Sequence, residues 1–298
     1  MKNNVYALIV TFNPEENFFN KFLFLCSKEF DNVVVIDNSS SNIDLFDKNE
    51  NLENVFFIKN NENIGIGSAQ NIGIRHAIKN NATHFVFFDQ DSKFDPGFLN
   101  NLLSKFNELK ASGFKVAAVG PSLIDSESGN PIPFITYEFG FKKRIVSKEK
   151  DVIKCFALLS SGTLTSVEVI ERVGLYNEDY FIGYVDVEWC SRANAMGYFC
   201  YGLGSAILSH SLGDNRYYIG RNVVPMHSPL RHYYLFRNAI FMLKSKVTPL
   251  YFKINDLFQL FRSFIIYLIF GPDKLKRLNL IIKGIFHGII NKGGKLKL

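Results

Sequence analysis

Two aspartates separated by one residue follow an apolar run in the first third of the chain. The run HFVFF, residues 84–88, predicts a buried strand, and Asp89 and Asp91 come directly after it. Two carboxylates this close repel each other unless a cation or a shared proton lies between them. Carboxylate oxygens suit Mg²⁺ or Mn²⁺, and such an ion commonly joins protein carboxylates to phosphate oxygens. The pair predicts a metal site for a diphosphate, and the alternative is a solvated surface turn.

Polar side chains also follow the two preceding apolar segments. Thr11 and Asn13 come at the end of VYALIV, and Asp37 and Asn38 follow NVVVI. The carboxyl ends of parallel strands meet at one edge of a sheet, so these side chains are expected beside the aspartate pair. Asp37 could accept a hydrogen bond from a ribose hydroxyl or a base N–H. An Asx turn leading into Asn38 is an equally good interpretation.

A second group of charged residues lies in YVDVEWCSR. On a helix Asp186 and Glu188 point to different faces, while Glu188 and Arg192 have the i,i+4 spacing of a structural ion pair. Asp186 is then the free carboxylate of this group, with a helix N-cap as the alternative. His210, at the end of YFCYGLGSAILSH, is either a core histidine or a third metal ligand.

The glycines of NIGIGSAQNIG, residues 63–73, resemble a dinucleotide fingerprint without matching it. Gln70 stands where the third glycine of G-x-G-x-x-G is needed, and the segment does not follow the first strand. Gly65 and Gly67 instead predict a helix entrance at which backbone can approach a ligand.

These residues need a scaffold, and the apolar pattern supplies one. Apolar strand segments alternate with segments of helical spacing from residue 5 to about residue 125. This order predicts an α/β fold with a mainly parallel, Rossmann-like central sheet and helices on both faces. Residues 125–150 are polar and predict a connection between two halves. FALLSSGTLTSVEVIERVG then predicts a strand, a turn and a helix.

Composition restricts the class of protein. A chain of 298 residues with 47% hydrophobic residues can bury a large core. Four cysteines without C-x-x-C spacing predict neither a zinc site nor a disulfide framework, which fits a reducing cytosol. The N-terminal apolar stretch is too short for a signal peptide, so a cytoplasmic protein is expected.

Positive charge is concentrated at the C-terminus. The net charge is +6, and residues 241–298 hold eleven Lys and Arg against two Asp. Aromatic and aliphatic residues alternate with these cations, which predicts helices lying on an anionic membrane surface; packing on the rest of the chain is the alternative. The apolar run is shorter than a membrane span. The charge lies in a hydrophobic tail without a nucleic-acid motif, so no nucleic-acid partner is expected.

The ordered motifs resemble the GT-A-fold inverting glycosyltransferases of family 2, and within them the bacterial rhamnosyltransferases. The resemblance runs from about residue 5 to residue 245. It is carried by VTFNPE, VVVIDNSS, NIGIGSAQNIG, FFDQDS, SGTLTSVEVIERVGLYNEDYFIGYVDVEWCSRA, SHSLGD and SPLRHYYLFRN.

The resemblance implies a role for each matching residue. Asp186 would be the catalytic base, although many members have Glu-Asp where this chain has Val185-Asp186. Asp89, Asp91 and His210 would bind Mg²⁺ or Mn²⁺. The residues expected to bind the nucleotide sugar are Thr11, Asn13, Asp37, Asn38, Gly65, Gly67, Asn71, Asp89, Gln90 and Arg237.

The resemblance also implies an organisation and an activity. Residues 1–245 would form the catalytic domain, with a nucleotide-binding half at 1–124 and an acceptor-binding half at 125–245, and residues 246–298 a helical extension. The enzyme would transfer L-rhamnose from dTDP-β-L-rhamnose, with inversion, to a polyprenyl-diphosphate-linked or other glycan acceptor in O-antigen or other surface polysaccharide assembly. It would lie on the inner face of the membrane. A UDP-hexose donor and a non-catalytic nucleotide-sugar-binding protein are the alternatives. Acceptor sugar, linkage and oligomeric state stay open.

Overall fold

Four parallel strands form one side of the central sheet in the computed structural model, which describes residues 3–42, 52–210, 215–219 and 222–297. These strands are β1 (Val5–Thr11), β2 (Asn32–Asp37), β3 (Val55–Lys59) and β4 (His84–Asp89). β1 lies between β2 and β4, and β3 extends the sheet beyond β2. The carboxyl ends of β1, β2 and β4 therefore meet at one edge, as predicted.

The later strands extend the same sheet on the side of β4. They are β5 (Lys93–Phe94), β6 (Val116–Asp125), β10 (Val152–Cys155), β11 (Leu164–Ser166) and β12 (Phe199–His210). The order is β10-β12-β6-β11-β4-β1-β2-β3. β6 and β12 are parallel, whereas β11 lies antiparallel between β4 and β6. The mainly parallel α/β sheet is confirmed, and it runs continuously across the predicted boundary at residue 124.

Helices cover both faces of the sheet because alternate strand residues point to opposite sides. The helices beside it are α1 (Glu16–Glu29), α2 (Ile66–Lys79), α3 (Phe98–Ala111), α4 (Val167–Val173) and α5 (Val185–Ala195). Ile9 of β1 packs in a cluster with residues of α1 and α3. Its neighbour Leu8 packs in the opposite cluster with residues of α2 and α5.

Residues 125–150 contain structure that the sequence analysis did not predict. After the short β7 (Pro131–Ile132), the strands β8 (Phe134–Glu138) and β9 (Phe141–Ile145) form an antiparallel hairpin. Charged residues interrupt the apolar alternation of this segment, so its strands are not visible locally. They form because the hairpin packs on a C-terminal helix, with the Tyr137 and Tyr251 rings 4.7 Å apart.

The chain ends in three helices that pack on one another. They are α6 (Pro229–Lys244), α7 (Leu250–Phe270) and α8 (Lys274–Ile289), preceded by the hairpin of β13 (Asn215–Ile219) and β14 (Asn222–Met226). Phe236, Tyr267 and Ile281 join α6, α7 and α8 in one cluster. Within the described ranges, none of the helices combines the length and apolarity that crossing a membrane requires.

Candidate active site

Asp89 ends β4, and Asp91 lies in the turn that follows it. The backbone N–H of Asp89 donates to Oγ of Ser161 (3.4 Å), and the hydroxyls of Ser92 and Ser161 lie 2.7 Å apart. Both aspartates are partly exposed at the edge of the sheet, whereas Ser92 is buried beneath them. The two aspartates of the turn are therefore partly exposed, and the serine hydroxyls that support the turn are buried.

The strand that carries His210 approaches the same turn. Ser209 of β12 pairs with Lys93 of β5, two residues after Asp91, and His210 is the next residue along β12. The backbone of His210 therefore lies beside the aspartate turn. Its side chain falls outside the described residues, so its role as a metal ligand stays a prediction.

Asp37 is buried at the end of β2 and is in register with Thr11 of β1. Its carboxylate accepts from the Thr11 hydroxyl (3.1 Å), from the backbone N–H of Ser40 (2.9 Å) and from the Ser40 hydroxyl. Asn13, in the left-handed region at φ 49°, accepts from Ser41 N–H at 2.8 Å. The structure therefore contains the turn that was the alternative for Asp37, and its contact with a nucleotide stays a prediction.

Asn38 and Gln90 connect neighbouring segments at the carboxyl edge of the sheet. Oδ1 of Asn38 accepts from the backbone N–H of Ile64 (3.1 Å), and its amide donates to the Gly65 carbonyl (3.3 Å). Gln90 accepts from the Phe12 N–H (2.7 Å) and donates to the Phe12 carbonyl (3.2 Å). These bonds fix the positions of the strand ends around the aspartate turn.

Asp186 lies in the first turn of α5. The helix is capped by Tyr184, in the left-handed region at φ 63°, so the interpretation of Asp186 as the N-cap is wrong. Oδ1 of Asp186 accepts from the backbone N–H of Val187 at 2.8 Å. The carboxylate also lines a cavity of about 10 Å³ together with Ser160, Thr163 and other residues.

The environment of Asp186 favours proton transfer near neutral pH. Burial raises the pKa of its carboxyl to about 6, and the negative charge of Asp89 adds to the rise, while N–H donors including those of Val187 and Ser160 oppose it. The electrostatic effect of Asp89 shows that its charge acts on the carboxyl of Asp186. A carboxylate with a pKa near the working pH is well suited to general-base catalysis.

The turn at Ser160–Gly162 contacts both the backbone of Asp89 and the carboxylate of Asp186, and the sequence did not predict this role. Ser161 bonds the aspartate turn, as described above, and the backbone of Ser160 donates to Asp186. Gly162, at φ 76°, donates its N–H to the Phe87 carbonyl at 2.7 Å. The predicted helix of this region is confirmed as α4, but the strand, β11, comes after the turn and directly before the helix rather than ahead of the turn. The serine pair before a glycine was the only available signal.

Gly65, Gly67 and Asn71 were predicted to bind the nucleotide sugar; this stays a prediction, and the structure shows a packing or hydrogen-bonding contact for each. A Cβ on Gly65, at φ 90°, would lie 2.6 Å from the Phe181 carbonyl oxygen, and one on Gly67 would lie 3.1 Å from Val185. Asn71 is buried, donates to the Tyr176 carbonyl and accepts from the Tyr176 N–H, both at 2.9 Å. All three hold α2 against the segment that leads to Asp186.

Arg237 also contacts that segment, and its predicted contact with the sugar donor stays a prediction. Its side chain is fully buried in α6. The guanidinium donates to the carbonyls of Asp179 (2.7 Å), Tyr180 (2.9 Å) and Gly294 (2.6 Å). Its Nε donates to Oδ1 of Asn238 at 2.9 Å. Arg237 is therefore a structural residue of the site.

The predicted ion pair in α5 is confirmed. Nε of Arg192 lies 2.8 Å from Oε1 of Glu188, which is buried. Arg192 also donates to the carbonyls of Val173 (2.6 Å) and Leu175 (2.7 Å). Both residues of the pair are used in packing α5 against α4, so Asp186 is the carboxylate of this motif that lines the cavity.

A curated relative matches most of the chain. The dTDP-rhamnosyl transferase RfbF of Shigella flexneri is 36% identical over 258 residues, which cover 86% of this chain and 85% of the relative. Such identity over nearly the full length indicates a common fold and common ancestry.

Solved structures share the fold at low identity. A structure of TarS residues 1–349 from S. aureus with UDP-GlcNAc has a TM-score of 0.60 and 16% identity, covering 97% of this chain and 81% of that one. GalNAc-T7 with UDP, GalNAc and Mn²⁺ has a TM-score of 0.58 and 13% identity over 90% of this chain, which spans only 56% of that protein. These neighbours confirm the predicted GT-A fold. The model for glycosyl transferase family 2 matches residues 6–167, more than half of the sequence, and the chain belongs to this family.

Proposed function

We propose that this glycosyltransferase transfers L-rhamnose from dTDP-β-L-rhamnose to a hydroxyl of a glycan acceptor, with inversion, in the assembly of O-antigen or another surface polysaccharide. The observation that carries the proposal is the carboxyl of Asp186, whose pKa is raised to about 6 by burial and by the charge of Asp89. The name of the Shigella flexneri relative supports the dTDP-rhamnose donor.

Asp186 acts as the general base. Its carboxylate takes the proton of the acceptor hydroxyl as the hydroxyl oxygen forms a bond to the anomeric carbon. The bond from that carbon to the diphosphate oxygen breaks on the opposite face, and the electron pair leaves with the nucleotide diphosphate. A single displacement inverts the anomeric centre, so a β-linked donor gives an α-rhamnoside. Because its pKa is raised, the carboxylate of Asp186 binds this proton more tightly than an ordinary aspartate does.

The aspartate turn fits a divalent cation shared with the donor. Among the described residues, no three His, Cys, Asp or Glu side chains converge as a complete metal site. Two carboxylates with remaining ligands from phosphate and water are a common arrangement for Mg²⁺, and Mn²⁺ takes the same oxygen ligands. Asp89, Asp91 and His210 would hold the ion. When bound, it supplies positive charge that stabilises the departing diphosphate.

Calorimetric titration of dTDP, UDP and GDP, each with and without Mn²⁺, tests the donor and the metal together. We expect Mn²⁺-dependent binding of dTDP by the wild type and its loss in Asp91→Ala. Asp95→Ala is the matched control, because Asp95 is exposed four residues further along the chain. A preference for UDP would replace the rhamnose donor with a UDP-hexose. Failure of a folded protein to bind any of the three nucleotides would refute the transferase proposal.

Asp186→Asn separates catalysis from binding. We expect transfer to fall by roughly 10²- to 10⁴-fold, the usual contribution of a general base, with dTDP affinity retained. Unchanged transfer would exclude Asp186 as the base. A wild type that binds dTDP but shows no turnover with any lipid-linked glycan would favour the non-catalytic nucleotide-sugar-binding alternative.

A lipid-linked acceptor requires access to a membrane surface, and α7 offers one. Its outward face carries a stripe of exposed apolar residues at helical spacing. The stripe consists of Leu250, Ile254, Leu257, Phe258, Phe261 and Ile265. An amphipathic helix of this kind lies in the membrane interface with its apolar face among the lipids.

The β8–β9 hairpin extends the same surface. Phe139 and Phe141 at its tip are 94% and 75% exposed, and the Asn255 side chain of α7 donates to the Gly140 carbonyl between them at 3.4 Å. The exposed residues Lys142 and Arg144 follow on β9. Apolar side chains beside cations match an anionic lipid surface, where each cation adds to the attraction. The hairpin tip and the α7 stripe therefore support peripheral association with the membrane.

Sedimentation with vesicles containing phosphatidylglycerol tests this association. We expect the double variant Phe258→Ser, Phe261→Ser to bind roughly tenfold less, and the wild type to bind less to phosphatidylcholine vesicles. Phe24→Ser is the control, since Phe24 is similarly exposed on α1. Equal sedimentation of all three proteins would refute the membrane proposal. Point variants are preferable to deletion of residues 246–298, because Gly294 bonds the buried Arg237.

A further inference from the structure

The nine residues before α5, segment 176–184, are held in place by side chains from other elements. Asn71 of α2 bonds the backbone of Tyr176 in both directions. Asn238 of α6 donates to the carbonyls of Tyr180 (2.8 Å), Ile182 (3.0 Å) and Gly183 (2.8 Å). This segment leads directly into the first turn of α5, so its position determines where Asp186 lies.

Segment 176–184 ends in an unusual backbone conformation. Phe181, Gly183 and Tyr184 have φ values of 58°, 78° and 63°. Bulky residues rarely adopt the left-handed region, and they persist there only where surrounding contacts hold them. Tyr184 is also the cap of α5, and its carbonyl accepts the helical N–H of Glu188 at 2.8 Å. A contact that fixes Tyr184 therefore fixes the turn of helix that contains Asp186.

Asp256 of α7 provides that contact. The Tyr184 hydroxyl donates to both carboxylate oxygens, at 3.0 Å and 3.1 Å. Asp256 lies six residues from Leu250, on the side of α7 opposite the exposed stripe. Burial raises the pKa of Asp256 to about 6, while Tyr184 and the charge of Lys142 oppose the rise. A buried carboxylate is costly unless it is hydrogen-bonded, and the Tyr184 hydroxyl supplies the bond.

We propose that Asp256 and Tyr184 are positioning residues that orient Asp186 for proton transfer. The helix α7 would then help to position the catalytic base, in addition to any contact with lipid. The pair acts on the base through the backbone of the α5 cap. The activity tests of this proposal depend on the transferase function proposed above.

Steady-state kinetics with the lipid-linked acceptor test the pair. We expect Tyr184→Phe to lower kcat by roughly 10- to 100-fold, the usual cost of misplacing a catalytic group, with the donor KM changed less than about twofold. Asp256→Ala should have the same effect. Asp256→Asn should retain more activity, because its amide oxygen still accepts from Tyr184. The double variant Tyr184→Phe, Asp256→Ala should be no slower than the slower single variant, since one interaction is lost only once.

Tyr251→Phe is the matched control. Tyr251 lies on the same helix and packs its ring on Tyr137, so loss of its hydroxyl should leave kcat unchanged. An unchanged kcat in Tyr184→Phe would overturn the proposal. A double variant in which the two single-variant losses of kcat multiply would overturn the proposal as well. So would a Tyr251→Phe variant that loses as much kcat as Tyr184→Phe.

Hydrogen–deuterium exchange of the amides at 185–188 gives a readout that does not need activity. We expect faster exchange in Tyr184→Phe and Asp256→Ala than in the wild type and Tyr251→Phe. Exchange that is identical in all four proteins would overturn the pair even if the wild type shows no transfer. Faster exchange combined with an inactive wild type would refute the transferase function and leave the structural coupling standing.

Discussion

The charge of Asp89, at the end of β4, acts on the carboxyl of Asp186 in the first turn of α5. Burial raises the pKa of Asp186 to about 6, and the charge of Asp89 contributes to the rise. The residue proposed to bind the metal therefore influences the residue proposed to take the proton. A cation held at Asp89 and Asp91 would offset this contribution and lower the pKa of Asp186 toward its ordinary range.

The transfer rate should depend on the protonation of Asp186. Because the base must be ionised, kcat/KM is expected to rise with pH through an apparent pKa at or below about 6. A pH profile of kcat/KM at saturating Mn²⁺ measures it. An apparent pKa above 7 for the acid limb would contradict the assignment of Asp186 as the base.

Asp186→Asn should stabilise the metal-free protein at neutral pH. The folded pKa of about 6 lies above the ordinary 3.8, so the free energy of unfolding of the wild type falls as pH rises between these values. The variant lacks this ionisable group, so its free energy of unfolding does not fall in this way. The difference in unfolding free energy between the variant and the wild type should be near zero below pH 4 and reach about 2 to 3 kcal/mol above pH 6. Urea unfolding across this pH range, with a chelator present, checks it. A variant less stable than the wild type at pH 8 would contradict the raised pKa.

Gly65→Ala should be more harmful than Gly97→Ala. Both glycines have positive φ, at 90° and 87°, so both substitutions strain the backbone. An added Cβ at Gly65 meets the Phe181 carbonyl at 2.6 Å, whereas at Gly97 nothing lies within 4 Å. We expect Gly65→Ala to lose about 1 to 3 kcal/mol more unfolding free energy than Gly97→Ala, as measured by urea denaturation. Equal losses would show that α2 does not press on segment 176–184.

Arg237→Lys should destabilise the protein without changing its affinity for dTDP. Lysine lacks the planar guanidinium that donates to the carbonyls of Asp179, Tyr180 and Gly294. These buried carbonyl oxygens would therefore lose hydrogen-bond donors. We expect a loss of roughly 2 to 4 kcal/mol in unfolding free energy. Arg75→Lys is the control, because Arg75 pairs with Glu178 at the exposed surface (3.6 Å). A stable Arg237→Lys protein with weakened dTDP binding would restore Arg237 to the donor site.

The sequence alone was enough to predict the fold class and the edge of the sheet that holds the site. Buried parallel strands require long apolar runs, and such runs are visible locally in VYALIVT, NVVVID and HFVFFD. Polar residues directly after these runs must lie at one edge, because the strands are parallel. The aspartate turn and Thr11 with Asp37 were located in this way.

Only the tertiary structure decided which residues of the family motifs lie at the carboxyl edge of the sheet and which hold other segments in place. A motif gives the order of residues but not the partners that fold against them. Asn71 and Arg237 could serve a ligand or a backbone segment equally well, and only packing brings them to Tyr176 and Tyr180. The insertion of β11 between β4 and β6 and the bond from Tyr184 to Asp256 likewise join residues far apart in the chain. Long-range contacts of this kind leave no local pattern, so the support of Asp186 by the C-terminal helices could be found only in the folded molecule.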